Sequence, residues 1–226
     1  MPSDAEMCLA RAPGETTSRY AQDQLSIQQA MGQTFAATLP VLLGEYNDEC
    51  SASFTDLRAG TSIGAAFMVS ATLSMAAVST QPVWAAVWDI FDDGGANYNL
   101  IDASNNLYPQ YYTLQRLIAK MPGAMVNSAE GSAAGGIQSW ATKVGSRFAV
   151  AIVNSNATPM SGTVALGHRP VNDSGAGTGV LWTYPQGGSM TRPVANVPGV
   201  ESTVMVVAGL TGAITVPGDS VVILPN

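Results

Sequence analysis

Hydrophobic and polar positions follow two different patterns along the chain. Up to about Gly123, Ala, Leu, Met and Gln dominate, which favour helices. Beyond Gly123, Gly, Ser, Thr, Val, Asn and Pro take over, which is typical of strands and turns. At 226 residues the chain is long enough to bury a sizeable core. The shift in composition therefore predicts two domains, residues 1–123 and 124–226.

The first pattern predicts helices that alternate with short apolar strands. Residues 41–43 and 83–88 form apolar runs that are too short for helices and suit strands buried on both faces. The predicted helices are 17–36, 62–79 and 109–120. Helices and short buried strands in alternation are typical of β/α units with parallel strands.

The second pattern consists of short alternating runs separated by Gly- and Pro-containing turns. The predicted strands are 137–143, 147–154, 162–166, 179–184, 203–207 and 220–224. Turns are predicted at 156–159 and 216–219. Strands at this spacing indicate an antiparallel sandwich or barrel.

Charge and hydropathy exclude two classes of partner. The net charge is −7 with only two lysines, so the phosphate backbone of a nucleic acid would be repelled. The most apolar stretch, 63–78, is interrupted by Ser70, Thr72 and Ser74 and is shorter than the roughly 20 residues of a membrane span. It is predicted to be a buried helix.

With 11% charged residues the surface must be mostly neutral and polar, which favours an extracellular or periplasmic protein, although residues 1–6 lack a signal-peptide pattern.

Metal and cofactor chemistry is not expected. Cys8 and Cys50, with a single histidine at His168, are too few for a zinc site. The two cysteines could form a disulfide or remain buried thiols, and the sequence leaves both open.

The candidate chemistry lies where the two predicted strands of the first part end. Glu45 stands at the tip of the first strand, followed by Tyr46 and Asn47, and the second strand ends in Trp88 and Asp89. The carboxyl ends of parallel strands carry the chemistry in α/β folds. We therefore predict that Glu45 is catalytic and that the other four bind substrate, because an aromatic face can stack on a sugar ring and polar groups can bond its hydroxyls. A solvated acid at a strand end is the alternative interpretation of Glu45.

Several segments resemble the retaining glycoside hydrolases with (β/α)8 folds, of the β-xylosidase and arabinofuranosidase type. Residues 39–47 resemble the seventh barrel strand, whose tip carries the nucleophilic glutamate, and 84–91 resemble the eighth strand. Residues 98–114 resemble the family pattern G-L-[LI]-D-x-x-G-x-P-K-P-x-Y-Y-A-L, which leads into the eighth helix. Residues 139–154 and 220–224 resemble the β-sandwich that follows the barrel. The fold this implies is the last two β/α units of a (β/α)8 barrel followed by an antiparallel β-sandwich.

The resemblance also implies a second carboxylate that the chain does not supply. In the family the general acid and base follows an asparagine at an earlier strand end, but this sequence contains no Asn-Glu pair. Too few residues precede Glu45 to hold six strands and helices. The resemblance thus implies the C-terminal portion of an enzyme acting on an oligo- or polysaccharide. That portion is expected to be inactive alone and to need the missing N-terminal barrel segment or another chain.

A second interpretation is a carbohydrate-binding or assembly module that performs no chemistry. Such a module would bind saccharide through aromatic residues of the sandwich, and the candidates are Trp140, Trp182 and Tyr184.

Two further arrangements of residues suggest other chemistry. The segment Gly60-Thr61-Ser62-Ile63-Gly64 matches the G-x-S-x-G elbow of serine hydrolases, with His168 as the sole candidate base. Helix capping is the alternative interpretation of this segment. Asp89, Asp92 and Asp93 are candidates for the second carboxylate only if the family resemblance does not hold, and a solvated acidic loop is the alternative interpretation.

Overall fold

The structure is a computed structural model. It describes residues 26, 29, 41–46, 61–78, 83–87, 90, 100–126, 136–145, 147–165, 176–185, 195–207 and 210–225. In 41–46, 83–87 and 176–179, and at 78, 206, 207, 210 and 225, the description is of the backbone. The chain divides into an N-terminal unit, Met1–Tyr111 with Thr191–Val197, and a C-terminal unit, Tyr112–Met190 with Pro198–Asn226. The predicted domain boundary after residue 123 remains a prediction.

The N-terminal unit contains a β-α-β arrangement. Strand β1 (Val41–Tyr46) leads through helix α1 (Ser62–Val78) to strand β2 (Val83–Val87), and the two strands pair in parallel. Helix α2 (Pro109–Lys120) follows. The predicted alternation of strands and helices is confirmed here, and Ser26 and Gln29, inside the predicted helix 17–36, are helical. The remainder of a barrel is a prediction.

Helix α1 is buried along nearly its whole length. Its apolar residues lie on all sides of the helix, which is typical of a helix surrounded by protein. Thr61 caps its first turn, because the Thr61 hydroxyl accepts a hydrogen bond from the backbone N–H of Ile63 at 3.2 Å. The burial of α1 confirms the predicted buried helix. In the described part of the chain, no helix is both long and apolar enough to cross a membrane.

A tight loop precedes α2, and Asp102 organises it. One Asp102 carboxylate oxygen accepts the backbone N–H groups of Ser104 and Asn106, each at 2.8 Å, and the other accepts the Asn106 side-chain amide. These hydrogen bonds, the Asn106 side chain foremost, hold the pKa of Asp102 below its usual value. Asn105 lies between them at φ +62°, in the left-handed region. The family pattern has glycine at this position, so Asn105 replaces it with a residue that tolerates the same backbone.

Asn196, from a distant part of the sequence, forms hydrogen bonds to this loop. Its backbone N–H donates to the Leu107 carbonyl at 2.8 Å, and its side-chain oxygen accepts the Leu107 N–H at 2.9 Å. The Asn196 amide also donates to the Asn106 side chain at 2.7 Å. All these residues belong to the N-terminal unit, although Asn196 lies in the connection between two strands of the sandwich. That connection therefore contributes structure to the N-terminal unit.

The C-terminal unit is an antiparallel sandwich. Its larger sheet has seven strands in the order β3-β4-β5-β11-β7-β8-β9, and β10 pairs with β6 in a second sheet. The strands are β3 (Ala124–Val126), β4 (Ile137–Val144), β5 (Arg147–Asn154), β6 (Met160–Gly162), β7 (Ala176–Tyr184), β8 (Val200–Val207), β9 (Leu210–Thr211), β10 (Ile214–Val216) and β11 (Ser220–Pro225). The predicted antiparallel sheet is confirmed.

The core of the sandwich lies between the two sheets. Ile214 and Val216 of β10 pack against one face of the larger sheet, where Val222 and Leu224 of β11 are almost fully buried. The other buried members of this cluster are Ala141, Val150, Ile152, Leu181 and Val204. Strand β11 is central and buried on both faces, which explains its uninterrupted apolar sequence.

The opposite face of the larger sheet is covered by part of α2. Tyr112 stacks on Tyr184 with ring centroids 6.2 Å apart, and Tyr184 stacks on Trp182 at 5.9 Å. The Arg116 guanidinium lies 5.8 Å from the centre of the Trp182 ring and pairs with Glu201. A side chain at Gly199 would overlap the Trp182 ring, so glycine is required there. These contacts enclose Trp182 from three directions.

Asn154 joins the turns at one end of the sandwich. It is fully buried, and its amide donates to the carbonyls of Thr158, Val216 and Pro217 at 2.9 to 3.2 Å. Its side-chain oxygen accepts the backbone N–H of Asn156 at 3.0 Å. The two predicted turns, 156–159 and 216–219, are thereby held together.

One predicted strand is wrong and three strands were missed. In place of the predicted strand 162–166, β6 ends at Gly162, and Val164 exchanges hydrogen bonds with Thr211. Strands β3, β9 and β10 contain three, two and three residues, which is too short for an alternating pattern to show.

Replacing Tyr184 by phenylalanine is expected to preserve or raise stability. The Tyr184 hydroxyl is buried and has no hydrogen-bond partner among the described residues, so its removal should raise the free energy of unfolding by about 1 kcal/mol. Burial, and to a smaller extent Tyr112, raises the pKa of Tyr184 above its usual 10.0. The parent chain should therefore lose stability as pH rises above 10, and Tyr184→Phe should lose less. Thermal unfolding at pH 7 and pH 10.5 measures the stability and its pH dependence. A drop in stability at pH 7 would contradict the expectation.

Asn105 offers a matched pair of substitutions in the loop before α2. Asn105→Ala is expected to lower the free energy of unfolding by about 1 to 2 kcal/mol, because alanine is strained at φ +62°. Asn105→Gly should leave stability unchanged or higher, because glycine adopts this backbone without strain. Denaturant unfolding of both variants measures the difference. An equal loss of unfolding free energy in the two variants would show that stability depends on the Asn105 side chain and not on its backbone conformation.

Candidate functional site

The candidate site lies at the carboxyl ends of β1 and β2. Val41 pairs with Val83, Leu42 with Trp84 and Leu43 with Ala85, and the last residue of β1, Tyr46, pairs with Val87. Because the pairing is parallel, both strands end at the same edge. Glu45 is the next-to-last residue of β1, and Trp88 follows β2 directly in the sequence.

The register of the two strands shifts at Glu45. Between the pairs Leu43–Ala85 and Tyr46–Val87, β1 has two residues, Gly44 and Glu45, where β2 has one, Ala86. This is the arrangement of a β-bulge, which leaves an extra residue outside the regular ladder and changes the direction of side chains around it. Bulges are over-represented next to active sites. The irregularity lies at the residue predicted to be catalytic.

The structure describes two of the five predicted site residues, and of those two only the backbone. For Glu45 and Tyr46 the backbone is described, and Asn47, Trp88 and Asp89 lie outside the described residues. Cys8, Cys50, Asp92, Asp93 and His168 also lie outside them. Their predicted roles stay predictions.

Sequence reasoning missed Asn196, which fastens the loop between β2 and α2. Asn196 lies 89 residues from Leu107, to which it bonds, and it adopts φ +60°. A lone asparagine in a loop gives no sign of so distant a partner. Asp102, by contrast, stands at the aspartate of the family pattern.

The serine-hydrolase interpretation is wrong for Ser62. Ser62 is 0% exposed and is the first residue of α1, whereas the nucleophile of an elbow must be reachable by substrate. Thr61 caps the helix instead. The capping interpretation of this segment is confirmed.

The aromatic residues proposed as a saccharide platform are all buried. Trp140 is 6% exposed, Trp182 5% and Tyr184 0%. Trp182 is enclosed by Arg116, Tyr184 and Gly199. None of these three rings has a free face on which a sugar could stack. The prediction that they bind saccharide is therefore wrong.

Within the described residues no group of three His, Cys, Asp or Glu side chains could hold a metal ion. Asp102 uses both carboxylate oxygens within its own loop. Its hydrogen bonds position the chain that leads into α2.

No protein-family model and no curated protein matches the chain. Solved structures of glycoside hydrolases do match it. The arabinose complex of an α-L-arabinofuranosidase from Thermotoga maritima superposes with a TM-score of 0.67 at 13% identity, covering 95% of this chain and 51% of that one. A family 30 subfamily 8 xylanase from Clostridium acetobutylicum gives 0.59 at 12% identity, covering 88% and 44%. The catalytic domain of a family 30 xylanase from Talaromyces cellulolyticus gives 0.56 at 13% identity, covering 84% and 41%.

These comparisons concern the fold. The chain has a glycoside-hydrolase-like fold and spans about half the length of the solved enzymes that it matches. It therefore corresponds in structure to part of such an enzyme.

Proposed function

We propose that this chain is the C-terminal portion of a retaining glycoside hydrolase and that Glu45 is its nucleophile. The observation that carries the proposal is the position of Glu45 at a bulge, at the carboxyl end of β1 in a parallel strand pair. The glycoside-hydrolase-like fold of the chain supports it. The matched structures include xylanases and arabinofuranosidases, which suggests xylan- or arabinan-type substrates that an extracellular or periplasmic protein would meet.

In the proposed reaction Glu45 acts as an ionised carboxylate. One of its oxygens attacks the anomeric carbon while the bond to the leaving oxygen breaks, and a second carboxylic acid gives its proton to that oxygen. The product is a covalent glycosyl-enzyme. The second carboxylate then removes a proton from water, whose oxygen attacks the anomeric carbon and releases Glu45. Tyr46, Asn47, Trp88 and Asp89 are proposed to hold the sugar.

The second carboxylate is proposed to come from outside these 226 residues. The two carboxyl groups of a retaining enzyme lie about 5 to 5.5 Å apart, so the partner must reach the carboxyl edge of β1 and β2. In the described residues β1 and β2 pair with each other and with no third strand. Their outer edges could accept the strands of a missing barrel segment. The chain's span of about half of the matched enzymes supports this step.

Covalent labelling of the full-length enzyme tests the role of Glu45. A 2-fluoro glycoside should form a stable adduct on Glu45, which peptide mass spectrometry would locate. Glu45→Gln should abolish both the adduct and turnover, lowering kcat by at least about 10³-fold, because no nucleophile remains. Glu130→Gln, a glutamate of the C-terminal unit, serves as the matched control and should keep both. An adduct on any other carboxylate would refute the assignment.

The isolated chain is expected to show no turnover of xylo- or arabino-oligosaccharides, because a lone nucleophile cannot protonate the poor leaving group of a sugar–sugar bond. Mixing the chain with the separately produced N-terminal portion should restore activity, whereas mixing the Glu45→Gln chain with that portion should not. Release of reducing sugar measures both activities. Appreciable activity of the 226 residues alone would overturn the proposal that the acid lies elsewhere.

A further inference from the structure

A groove of about 330 Å³ opens on the C-terminal unit between β10 and the strand pair β7–β8. Among the described residues the second sheet has two strands and the larger sheet seven, so within that part of the chain some of the larger sheet's face has no covering strand. Ile214 of β10 is buried in the core at one side of the groove, whereas Val200 of β8 is 36% exposed at the other. The groove is thus a partly filled space between the two sheets.

Hydroxyl and aliphatic side chains alternate across the floor of this groove. Leu181 pairs with Ser202, and Thr183 pairs with Val200, so each aliphatic residue faces a hydroxyl residue on the neighbouring strand. Because directly opposed residues share one face of a sheet, the four side chains form a small chequered surface. Thr215 of β10 lies between the core residues Ile214 and Val216, so its side chain is on the other face of that strand, where its hydroxyl bonds that of Ser161 at 3.0 Å.

The residues that line the groove carry no charge. Its lining consists of aliphatic, Ser, Thr and Pro residues. A sugar presents the complementary surface, with hydroxyl groups at its rim and C–H groups on its faces. The volume lies within the roughly 300 to 1,000 Å³ of ordinary ligand sites. The net charge of −7 disfavours a polyanionic ligand.

We propose that this groove is a saccharide-binding site that takes a neutral oligosaccharide. The Thr183 and Ser202 hydroxyls would bond the sugar hydroxyls, and Leu181 and Val200 would contact its C–H face. The inference rests on the proposed function in one respect: the ligand is a segment of the same polymer that the enzyme would cleave. It assigns no chemistry to the groove.

Titration of the 226-residue chain with xylohexaose and with arabinohexaose tests the proposal. Binding is measured by calorimetry and by amide shifts in NMR spectra. One of the two sugars should bind and shift the amide signals of Leu181 to Thr183 and Val200 to Val204. Thr183→Val keeps the shape and the strand propensity but removes one hydroxyl, so it should weaken binding about 3- to 10-fold. Ser202→Ala should act in the same direction.

Thr163→Val is the matched control, because Thr163 is exposed and does not line the groove. It should leave the affinity unchanged, and thermal unfolding should show all variants to be folded. Equal affinity of Thr183→Val and the parent, or shifts confined to the N-terminal unit, would overturn the proposal. So would binding of an extended apolar peptide in the groove with no response to either sugar.

The two proposals can fail separately. Glu45→Gln should leave the affinity of the groove unchanged, since Glu45 does not line it. If the 2-fluoro label appears on another carboxylate while Thr183→Val still weakens binding, the saccharide-binding proposal is supported and the catalytic assignment of Glu45 is refuted. If the label appears on Glu45 while neither hexasaccharide binds at the groove, the saccharide-binding proposal is refuted and the catalytic assignment of Glu45 is supported.

Discussion

The parallel pairing of β1 and β2 is the constraint on which the rest of the candidate site depends. A parallel pair needs a crossover, and the buried helix α1 supplies it between Tyr46 and Val83. The pairing brings the carboxyl ends of both strands to one edge. If β2 ran the other way, its five residues would carry its carboxyl end about 15 Å along the ladder from that of β1. A sugar held near Trp88 would then lie outside the reach of Glu45.

The same constraint bears on the proposal that this chain supplies one of two catalytic carboxylates. Glycoside hydrolysis with retention needs two carboxyl groups about 5 to 5.5 Å apart, and in a barrel these come from the ends of different strands. Each strand end is fixed by its own hydrogen-bonded neighbours. In the proposed enzyme the pairing of β1 with β2 would fix the backbone at Glu45, and the position of the second carboxylate would depend on the neighbours of another strand.

The sequence predicted elements well where their ends carry local signals. Helix α2 has the predicted bounds, because Pro109 suits a first helical position and Gly123, at φ +96°, follows its end. Strand β5 also has its predicted bounds, because its apolar run is long. The burial of Trp182 could not be predicted, since it depends on Arg116, which is 66 residues away in the sequence. The bulge at Glu45 depends on pairing with β2 and is likewise invisible in a single strand.

The two faces of the larger sheet differ in what covers them, and this decides where a sugar could bind. On one face, α2 packs on Trp182 and Tyr184, so the aromatic rings stabilise the fold and are unavailable for stacking. On the other face, the short second sheet leaves hydroxyl and aliphatic groups accessible. Such groups bind sugar weakly, because a neutral hydrogen bond contributes only about 0.5 to 1.5 kcal/mol.

Weak binding would still be useful if the proposed groove and the proposed nucleophile act on one polymer. A polymer long enough to reach both proposed sites would have an effective concentration in the millimolar range at the second site. The groove therefore needs only modest affinity to keep a polysaccharide near the enzyme, and strong affinity would slow its release. Hydroxyl and aliphatic contacts, without an aromatic platform, suit that requirement.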